Sequence, residues 1–131
     1  MDALADSGLA RDGEIIVGRE QQTFENGYDA MKQLLQEKKA TACFVAENPM
    51  AQGVFKCLMD YKKRIPEEMA MICYDDFEWS QLTVPTISAI RQPMKEMGRK
   101  AVELLLKKIG DPDARCENII LKSEFILRES C

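Results

Sequence analysis

Short apolar runs alternate along this chain with longer stretches whose apolar residues recur at helical spacing. The runs predict four buried strands, namely Glu14–Gly18, Ala42–Ala46, Met69–Tyr74 and Thr86–Ile90. The stretches that begin at Phe24, Asn48 and Pro93 predict amphipathic helices. Successive strand–helix–strand units require parallel pairing with right-handed crossovers. The pattern therefore predicts an α/β fold, three layers (α/β/α) around a parallel sheet, with two short closing strands at Asn118–Leu121 and Phe125–Leu127.

Polar side chains follow three of the predicted strands. The run Met69–Tyr74 stops abruptly at two carboxylates, Asp75 and Asp76, while Arg19 and Asn48 come directly after the first two strands. Because the carboxyl ends of parallel strands meet at one edge of a sheet, we expect these side chains to lie along that rim. Ligands of open α/β folds bind there, so the rim is the predicted binding site.

The residue types at the rim match a polyol. The carboxylate of Asp75 accepts hydroxyl hydrogen bonds, the amide of Asn48 both donates and accepts, and the guanidinium of Arg19 donates in a fork. The aromatic rings of Trp79 or Phe77, in the following loop, could stack on an apolar sugar face. The predicted ligand is a sugar or a related small molecule.

Each of these residues also has a purely structural interpretation. Asn48 is well placed to be the N-cap of the helix that follows it, with a proline at the first helical position. One of the two adjacent aspartates is expected to bond to loop amides, a common role for Asp after a strand. Arg19 could be a solvated surface charge, and Trp79 could pack beneath its loop. These alternatives stay open at the level of the sequence.

The composition excludes several classes of function. The 18 basic and 22 acidic residues are interspersed, so no basic stripe predicts direct contact with nucleic acid. No histidine is present, and the sequence shows no nucleophile–base pair, metal cluster or phosphate-binding glycine loop, so an enzyme and a bound cofactor are both unexpected. The five cysteines are predicted to be free thiols, with Cys43, Cys57 and Cys73 buried, and no membrane span or signal peptide is visible. A cytoplasmic protein is expected.

A series of short motifs resembles the lactose/galactose-repressor (LacI/GalR) family in both order and spacing. They are Ala42-Cys-Phe-Val-Ala-Glu-Asn48, Met50-Ala-Gln-Gly53, Arg64-Ile-Pro-Glu-Glu68, Ile72-Cys-Tyr-Asp-Asp76, Val84-Pro-Thr-Ile-Ser-Ala-Ile-Arg-Gln-Pro93, Met97-Gly-Arg-Lys-Ala101, Glu103-Leu-Leu-Leu106 and Arg128-Glu-Ser130. The resemblance covers nearly the whole chain and corresponds to the C-terminal half of that family's effector-binding core.

The resemblance implies a function. Members of the family are bacterial transcription regulators, with an N-terminal helix-turn-helix and a two-lobed core of the type-1 periplasmic-binding-protein fold that closes on a small effector. By analogy Arg19, Asn48 and Asp75 would contact the effector, the protein would be a homodimer, and DNA would be bound only through a helix-turn-helix that this chain does not contain. Two departures from the family's motifs make it harder to infer from the family which effector is bound. Pro49 stands where the family usually has Asp, and Cys73 stands where it usually has Gly.

The same resemblance implies a division of the chain. Residues 1–10 would be a trailing helix from a missing lobe, stopped at Gly8, and residues 11–92 the C-terminal effector-binding lobe. Residues 93–116 would be a helix and connection that pack on the missing lobe, and residues 117–131 the closing strands. Produced alone, such a chain is expected to bury its orphaned helix by self-association or by folding it back on its own sheet.

Two other functions remain possible at this stage. A sugar-binding protein of a transport system would have the same fold, although free strand cysteines and the closing Arg128-Glu-Ser130 favour a regulator. A metal-dependent enzyme that uses Asp75 and Asp76 is the remote alternative.

Overall fold

The structure, a computed structural model, describes residues 6–8, 17–18, 20–37, 40–115 and 117–131. Within these residues the helices and strands, in chain order, are α1 (Phe24–Glu37), β1 (Ala42–Val45), α2 (Asn48–Asp60), β2 (Ala70–Tyr74), α3 (Trp79–Leu82), β3 (Ser88–Arg91), α4 (Met94–Gly110) and β4 (Glu124–Ile126). Of the predicted first strand, only Val17 and Gly18 are among the described residues, and of the predicted helix at residues 1–10, only residues 6–8 are.

The four described strands form one sheet in the order β1-β2-β3-β4. Strands β1, β2 and β3 are parallel, as the sequence predicts, with Val45 opposite Cys73 and Tyr74 opposite Ile90. Strand β4, a closing strand to which the sequence pattern assigns no direction, is antiparallel to β3, so the sheet is mixed rather than wholly parallel. The reason is that α4, which precedes β4, buries none of its residues and so does not return the chain over the sheet as a crossover helix would.

One of the two predicted closing strands is absent from the described sheet. Residues 118–121 have no strand conformation, and Ile120 is almost fully exposed. Apolar residues alone do not make a strand when no neighbouring strand supplies hydrogen-bond partners.

The core lies between one face of the sheet and helices α1 and α2. Its fully buried side chains are mostly apolar and include Met31, Leu58, Met69, Met71 and Ile87. Cys57 and Cys73 are buried there as free thiols, as expected, whereas Cys43 is only partly buried. Burial raises the pKa of the Cys73 thiol to about 12, which keeps it protonated and unreactive. Cys116 lies outside the described residues.

Helix α2 ends in an unusual cap. The Lys63 amide donates to the Leu58 carbonyl at 2.9 Å and the Lys62 amide to the Met59 carbonyl at 3.0 Å, which together form a Schellman motif. This motif needs a left-handed residue after the helix, and here that residue is Lys62, with φ of 51°. A lysine in this conformation carries steric strain that glycine avoids.

We therefore expect Lys62→Gly to stabilise the protein. The left-handed conformation costs a residue with a Cβ about 1–2 kcal/mol, and the greater flexibility of glycine when unfolded offsets about 0.5–1 kcal/mol of that gain. The net expectation is about 0.5–1 kcal/mol, measured by urea unfolding. Lys32→Gly, an exposed lysine inside α1, is the control and should destabilise by about 1 kcal/mol; equal effects of the two changes would contradict the strain argument.

The last residues of the chain join the central strands. The Ser130 hydroxyl is fully buried, accepts from the Ser88 amide at 2.8 Å and donates to the Met71 carbonyl at 2.6 Å. The carboxylate of Glu129 accepts from both the amide and the hydroxyl of Thr86. Ser130 thus bridges β2 and β3, and Glu129 binds Thr86, at the end of the sheet opposite the rim.

Helix α4 presents a largely exposed apolar surface. Met94, Val102, Leu105, Leu106 and Ile109 are each more than half exposed. The structure does not show the helix folded back on the sheet, which was one of the two predicted outcomes for it. No helix within the described residues is both long and apolar enough to span a membrane.

Candidate functional site

The rim is formed by the carboxyl ends of the three parallel strands. Asn48 is the first residue of α2, shortly after β1, Asp75 follows β2, and Gln92 follows β3. The register of the strands aligns their ends, because Val45 pairs with Cys73 and Tyr74 pairs with Ile90. All three polar side chains are partly buried, so the rim is a partly desolvated polar edge.

Asp75 is held in a fixed position at the centre of this rim. Its φ is 69°, in the left-handed region, and its amide donates to the Ile90 carbonyl of the neighbouring strand at 2.9 Å. Its Oδ1 accepts a hydrogen bond from Gln92 Nε2 at 2.7 Å. Among the described residues no hydrogen bond to its Oδ2 is found, which leaves that oxygen available to a ligand hydroxyl.

Asn48 pairs with Trp79 across the rim. Its Oδ1 accepts from the indole Nε1 of Trp79 at 2.7 Å, and the indole ring also packs against Phe55, with ring centroids 6.2 Å apart. The expectation that Asn48 is the N-cap of α2 is wrong: the N-cap is Glu47, whose carbonyl accepts the first helical hydrogen bond from Ala51. Since the indole occupies one lone pair of Oδ1, Asn48 can offer a ligand its two amide hydrogens and the second lone pair of that oxygen.

The second aspartate has a structural role. The side chain of Asp76 is only 1% exposed, and its carboxylate bonds to Arg91 at 2.6 Å, to Arg128 at 2.7 Å and to the Ser80 hydroxyl at 3.1 Å. Burial raises the pKa of Asp76, but the hydrogen bonds from Arg91 and Arg128 outweigh burial and hold it below the ordinary value. The expectation that one aspartate of the pair bonds to loop amides is wrong, because the partners of Asp76 are the side chains of Arg91, Arg128 and Ser80.

The predicted site residues thus divide into groups. Asp75, Asn48 and Trp79 are brought together at the rim, and Phe77 is exposed in the loop that follows β2. Arg19 lies outside the described residues, so its predicted contact with the ligand remains a prediction. Trp79 packs on Phe55 and donates a hydrogen bond to Asn48, which agrees with a packing role, while its stacking on a ligand stays a prediction.

Sequence reasoning missed Gln92. The signal was present, because Gln92 follows a parallel strand as Asn48 and Asp75 do, and the same topological rule applies to it. Its amide fixes one oxygen of Asp75, so it belongs to the site.

Metal chemistry at the rim is not supported by this geometry. Both oxygens of Asp76 are engaged by guanidinium groups, so the adjacent aspartates do not form a joint cation site. No group of three acidic, cysteine or histidine side chains suited to a metal ion occurs within the residues that the structure describes. The rim residues that the structure describes offer hydrogen-bonding groups suited to a hydroxyl-rich molecule, and no nucleophile–base pair occurs among them.

Comparison with known proteins identifies a whole-chain match. Residues 2–131 match the family described as periplasmic binding protein-like domain. The chain is 34% identical over 108 residues to the ribose operon repressor of Haemophilus influenzae and 36% identical over 110 residues to the transcriptional repressor PurR of the same organism. These alignments cover 82% and 81% of this chain but 32% and 33% of the repressors, so the chain spans about one third of their length.

Solved structures match over nearly the whole chain. A transcriptional regulator in complex with cellobiose, CelR, aligns with a TM-score of 0.88 and 27% identity over 99% of this chain and 40% of that protein. A regulator from Enterococcus faecium with bound ribose aligns with a TM-score of 0.83 and 29% identity over 98% and 48% of the two chains. The periplasmic-binding-protein-like α/β fold predicted from the sequence is therefore confirmed.

Proposed function

Because the chain belongs to the family of periplasmic-binding-protein-like domains, in the form found in LacI-type transcriptional regulators, we propose that its rim binds a sugar-like effector. The observation that carries this proposal is Asp75. It stands at the end of the central parallel strand, fixed by Gln92 through one oxygen, with its other oxygen open to a hydroxyl group. A carboxylate held in this way accepts from a polyol without losing further conformational entropy.

The other rim residues complete the recognition. Asn48 donates through its amide, and the Trp79 ring sets the position of that amide. Arg19 is proposed to reach the same ligand, and Phe77 to stack on an apolar face of it. Two of the similar regulators were solved with cellobiose and with ribose, which supports a carbohydrate as the class of effector.

The proposed role of the complete protein is regulatory. The similar proteins named above are repressors and regulators rather than enzymes, which also favours this role over that of a transport binding protein. We infer that the chain acts in the cytoplasm as the sensory part of a homodimer, and that DNA is contacted by a helix-turn-helix outside these residues. The effector would change the affinity of that segment for its operator.

A thermal-shift screen tests the rim. Candidate ligands are ribose, cellobiose, phosphosugars and nucleobases, each measured at increasing concentration. A ligand at 100 times its dissociation constant stabilises the folded state by about 2.7 kcal/mol, a rise in Tm of several degrees for a domain of this size.

The matched variants are Asp75→Asn and Asp29→Asn. The first keeps the shape and the left-handed backbone of Asp75 but removes its charge, and we expect ligand affinity to fall about ten- to a hundredfold, as for loss of a charged hydrogen bond of about 1.5–3 kcal/mol. Asp29 is an exposed carboxylate on α1, so its replacement should leave affinity unchanged. Equal affinities for wild type and Asp75→Asn would refute the proposed site.

A further inference from the structure

Helix α2 begins at the rim with features that disfavour an anion. Helix N-termini bind phosphate and carboxylate groups because their first N–H groups point at the ligand. In α2 the second residue is Pro49, which has no N–H, and the N-cap residue is Glu47, whose side chain is exposed and makes no capping hydrogen bond. This helix end therefore lacks one donor and carries a negative charge where a phosphate group would need donors.

Helix α4 begins next to the rim in a similar way. Its N-cap is Pro93, which has no N–H, and the first amide of the helix already donates to the Gln92 carbonyl at 2.9 Å. The first turn contains both Lys95 and Glu96, so it has no net charge. Since Gln92 also holds Asp75, this helix end adjoins the same rim, and it offers an anion little attraction.

The strand register places two carboxylates at adjacent strand ends. Val45 of β1 pairs with Cys73 of β2, and Glu47 and Asp75 each stand two residues beyond that pair. Neighbouring strands lie about 5 Å apart. The carboxylate of Asp75 is partly buried and takes part in no ion pair within the described residues, where it accepts only from the neutral amide of Gln92. Its negative charge is therefore not neutralised by the described part of the protein.

The arginines closest in sequence to the rim strands are engaged elsewhere. Arg91 and Arg128 both pair with the buried carboxylate of Asp76, at 2.6 Å and 2.7 Å. Arg19, which is proposed to reach the ligand, would supply one positive charge against the two carboxylates that follow β1 and β2. An anionic ligand would therefore meet more negative than positive charge at these two strand ends.

We propose that the rim selects its effector by charge, accepting a neutral polyol and rejecting one that carries a phosphate or carboxylate group, and that Glu47 sets this selectivity. The inference rests on the proposed function and narrows the class of effector. Binding sites reject competitors by repulsion as well as by loss of contacts, and like charges repel more strongly at a partly desolvated edge than in water. The carboxylate of Glu47 also complements the dipole of α2, a role that does not conflict with selectivity.

Dissociation constants for matched pairs of sugars test the proposal on the wild-type chain. The pairs are ribose and ribose 5-phosphate, glucose and glucose 6-phosphate, and cellobiose and cellobiose 6-phosphate, titrated by calorimetry. Wherever the neutral sugar binds, we expect the phosphorylated sugar to bind at least about tenfold more weakly at low ionic strength, as for one unfavourable charge contact. The gap should narrow at about 0.5 M NaCl, because salt screens charge repulsion and leaves the size of the phosphate group unchanged.

Two glutamate variants assign the selectivity to a residue. Glu47→Gln removes the charge but keeps the side-chain size and the backbone carbonyl that accepts from the Ala51 amide. We expect it to tighten binding of the phosphorylated sugar about three- to tenfold and to change binding of the neutral sugar less than about twofold. Glu67→Gln is the control, because Glu67 is an exposed carboxylate that precedes β2, at the end of the sheet opposite the rim, and its replacement should change neither affinity.

The outcomes separate this inference from the proposed function. A phosphorylated sugar that binds as tightly as its neutral counterpart would overturn the charge selection and leave the Asp75 site standing. A gap that neither salt nor Glu47→Gln reduces would also overturn it, because size alone would then explain the discrimination. Binding of none of the neutral sugars would overturn the proposed function and this inference together. If Glu47→Gln unfolds, the salt dependence of the wild-type chain still decides the question.

Discussion

Replacing Arg128 with methionine is expected to destabilise the protein by about 3–5 kcal/mol, the range for removing one partner of a buried ion pair. The guanidinium bonds to Asp76 at 2.7 Å, to the Ile87 carbonyl at 2.6 Å and to the Ser80 hydroxyl at 3.1 Å. Its side chain is 13% exposed, and that of Asp76 is 1% exposed, so the loss leaves a buried carboxylate with Arg91 as its remaining cation. Methionine fills similar volume, which limits the contribution of a cavity. Urea unfolding measures the change.

The pH dependence distinguishes this mechanism from a packing defect. The folded-state pKa of Asp76 lies below its ordinary value, so the ion pairs stabilise the fold above an ordinary Asp pKa of about 4 and lose that effect as pH falls through the lower folded value. The stability gap between wild type and Arg128→Met should therefore be largest near neutral pH and shrink in acid. A gap that stayed constant from pH 7 to acid would contradict the role assigned to the ion pair.

Gly53→Ala is expected to destabilise the protein by about 3 kcal/mol, at the upper end of the usual range for overpacking. Helices α1 and α2 cross with their backbones in close approach at Gly53, where a methyl group would overlap the Phe24 carbonyl oxygen and lie 2.8 Å from the Tyr28 amide nitrogen. Gly27 makes the reciprocal approach, since a methyl group there would lie 2.6 Å from the Met50 Cα. The obstacles are backbone atoms, so relief requires the helices to separate.

Gly98→Ala is the matched control for this crossing. It makes the same substitution within α4, where a methyl group meets nothing within 4 Å. There alanine should stabilise the protein by about 0.5–1 kcal/mol through its higher helix propensity. Opposite signs for the two glycine substitutions, measured by thermal or urea unfolding, are the expected result; a neutral Gly53→Ala would show that the helices can move apart at little cost.

The sequence by itself determined the three parallel strands, the three longer helices and the placement of Asn48 and Asp75 at the rim. Apolar runs at residues 42–46 and 69–74 predict strands because short continuous apolar runs are typical of strands in parallel sheets, and both are strands of the parallel sheet. The 3.6-residue spacing of apolar residues predicts α1, α2 and α4, because that spacing places them on one face of a helix. The position of Asp75 and Asn48 at one edge follows directly from parallel pairing.

The direction of the last strand was decided only by the tertiary structure. The sequence between β3 and β4 contains a helix, and a helix between two strands allows parallel pairing when it crosses over the sheet. Whether a helix acts as a crossover depends on whether it packs on the sheet, and α4 does not. Whether a helix packs on a sheet depends on the surfaces around that helix, and the hydrophobic pattern of the helix itself does not reveal them.

The hydrogen-bond and ion-pair partners of Asp75 and Asp76 also could not be predicted from the sequence. Asp76 meets Arg128 across 52 residues of chain, and Asp75 meets Gln92 across 17. Adjacent residues after a strand point in different directions, so one turns into the protein towards guanidinium groups while its neighbour remains at the rim. Local pattern specifies which elements form and where their ends meet; the identity of long-range partners depends on how those elements are packed, which only the three-dimensional structure shows.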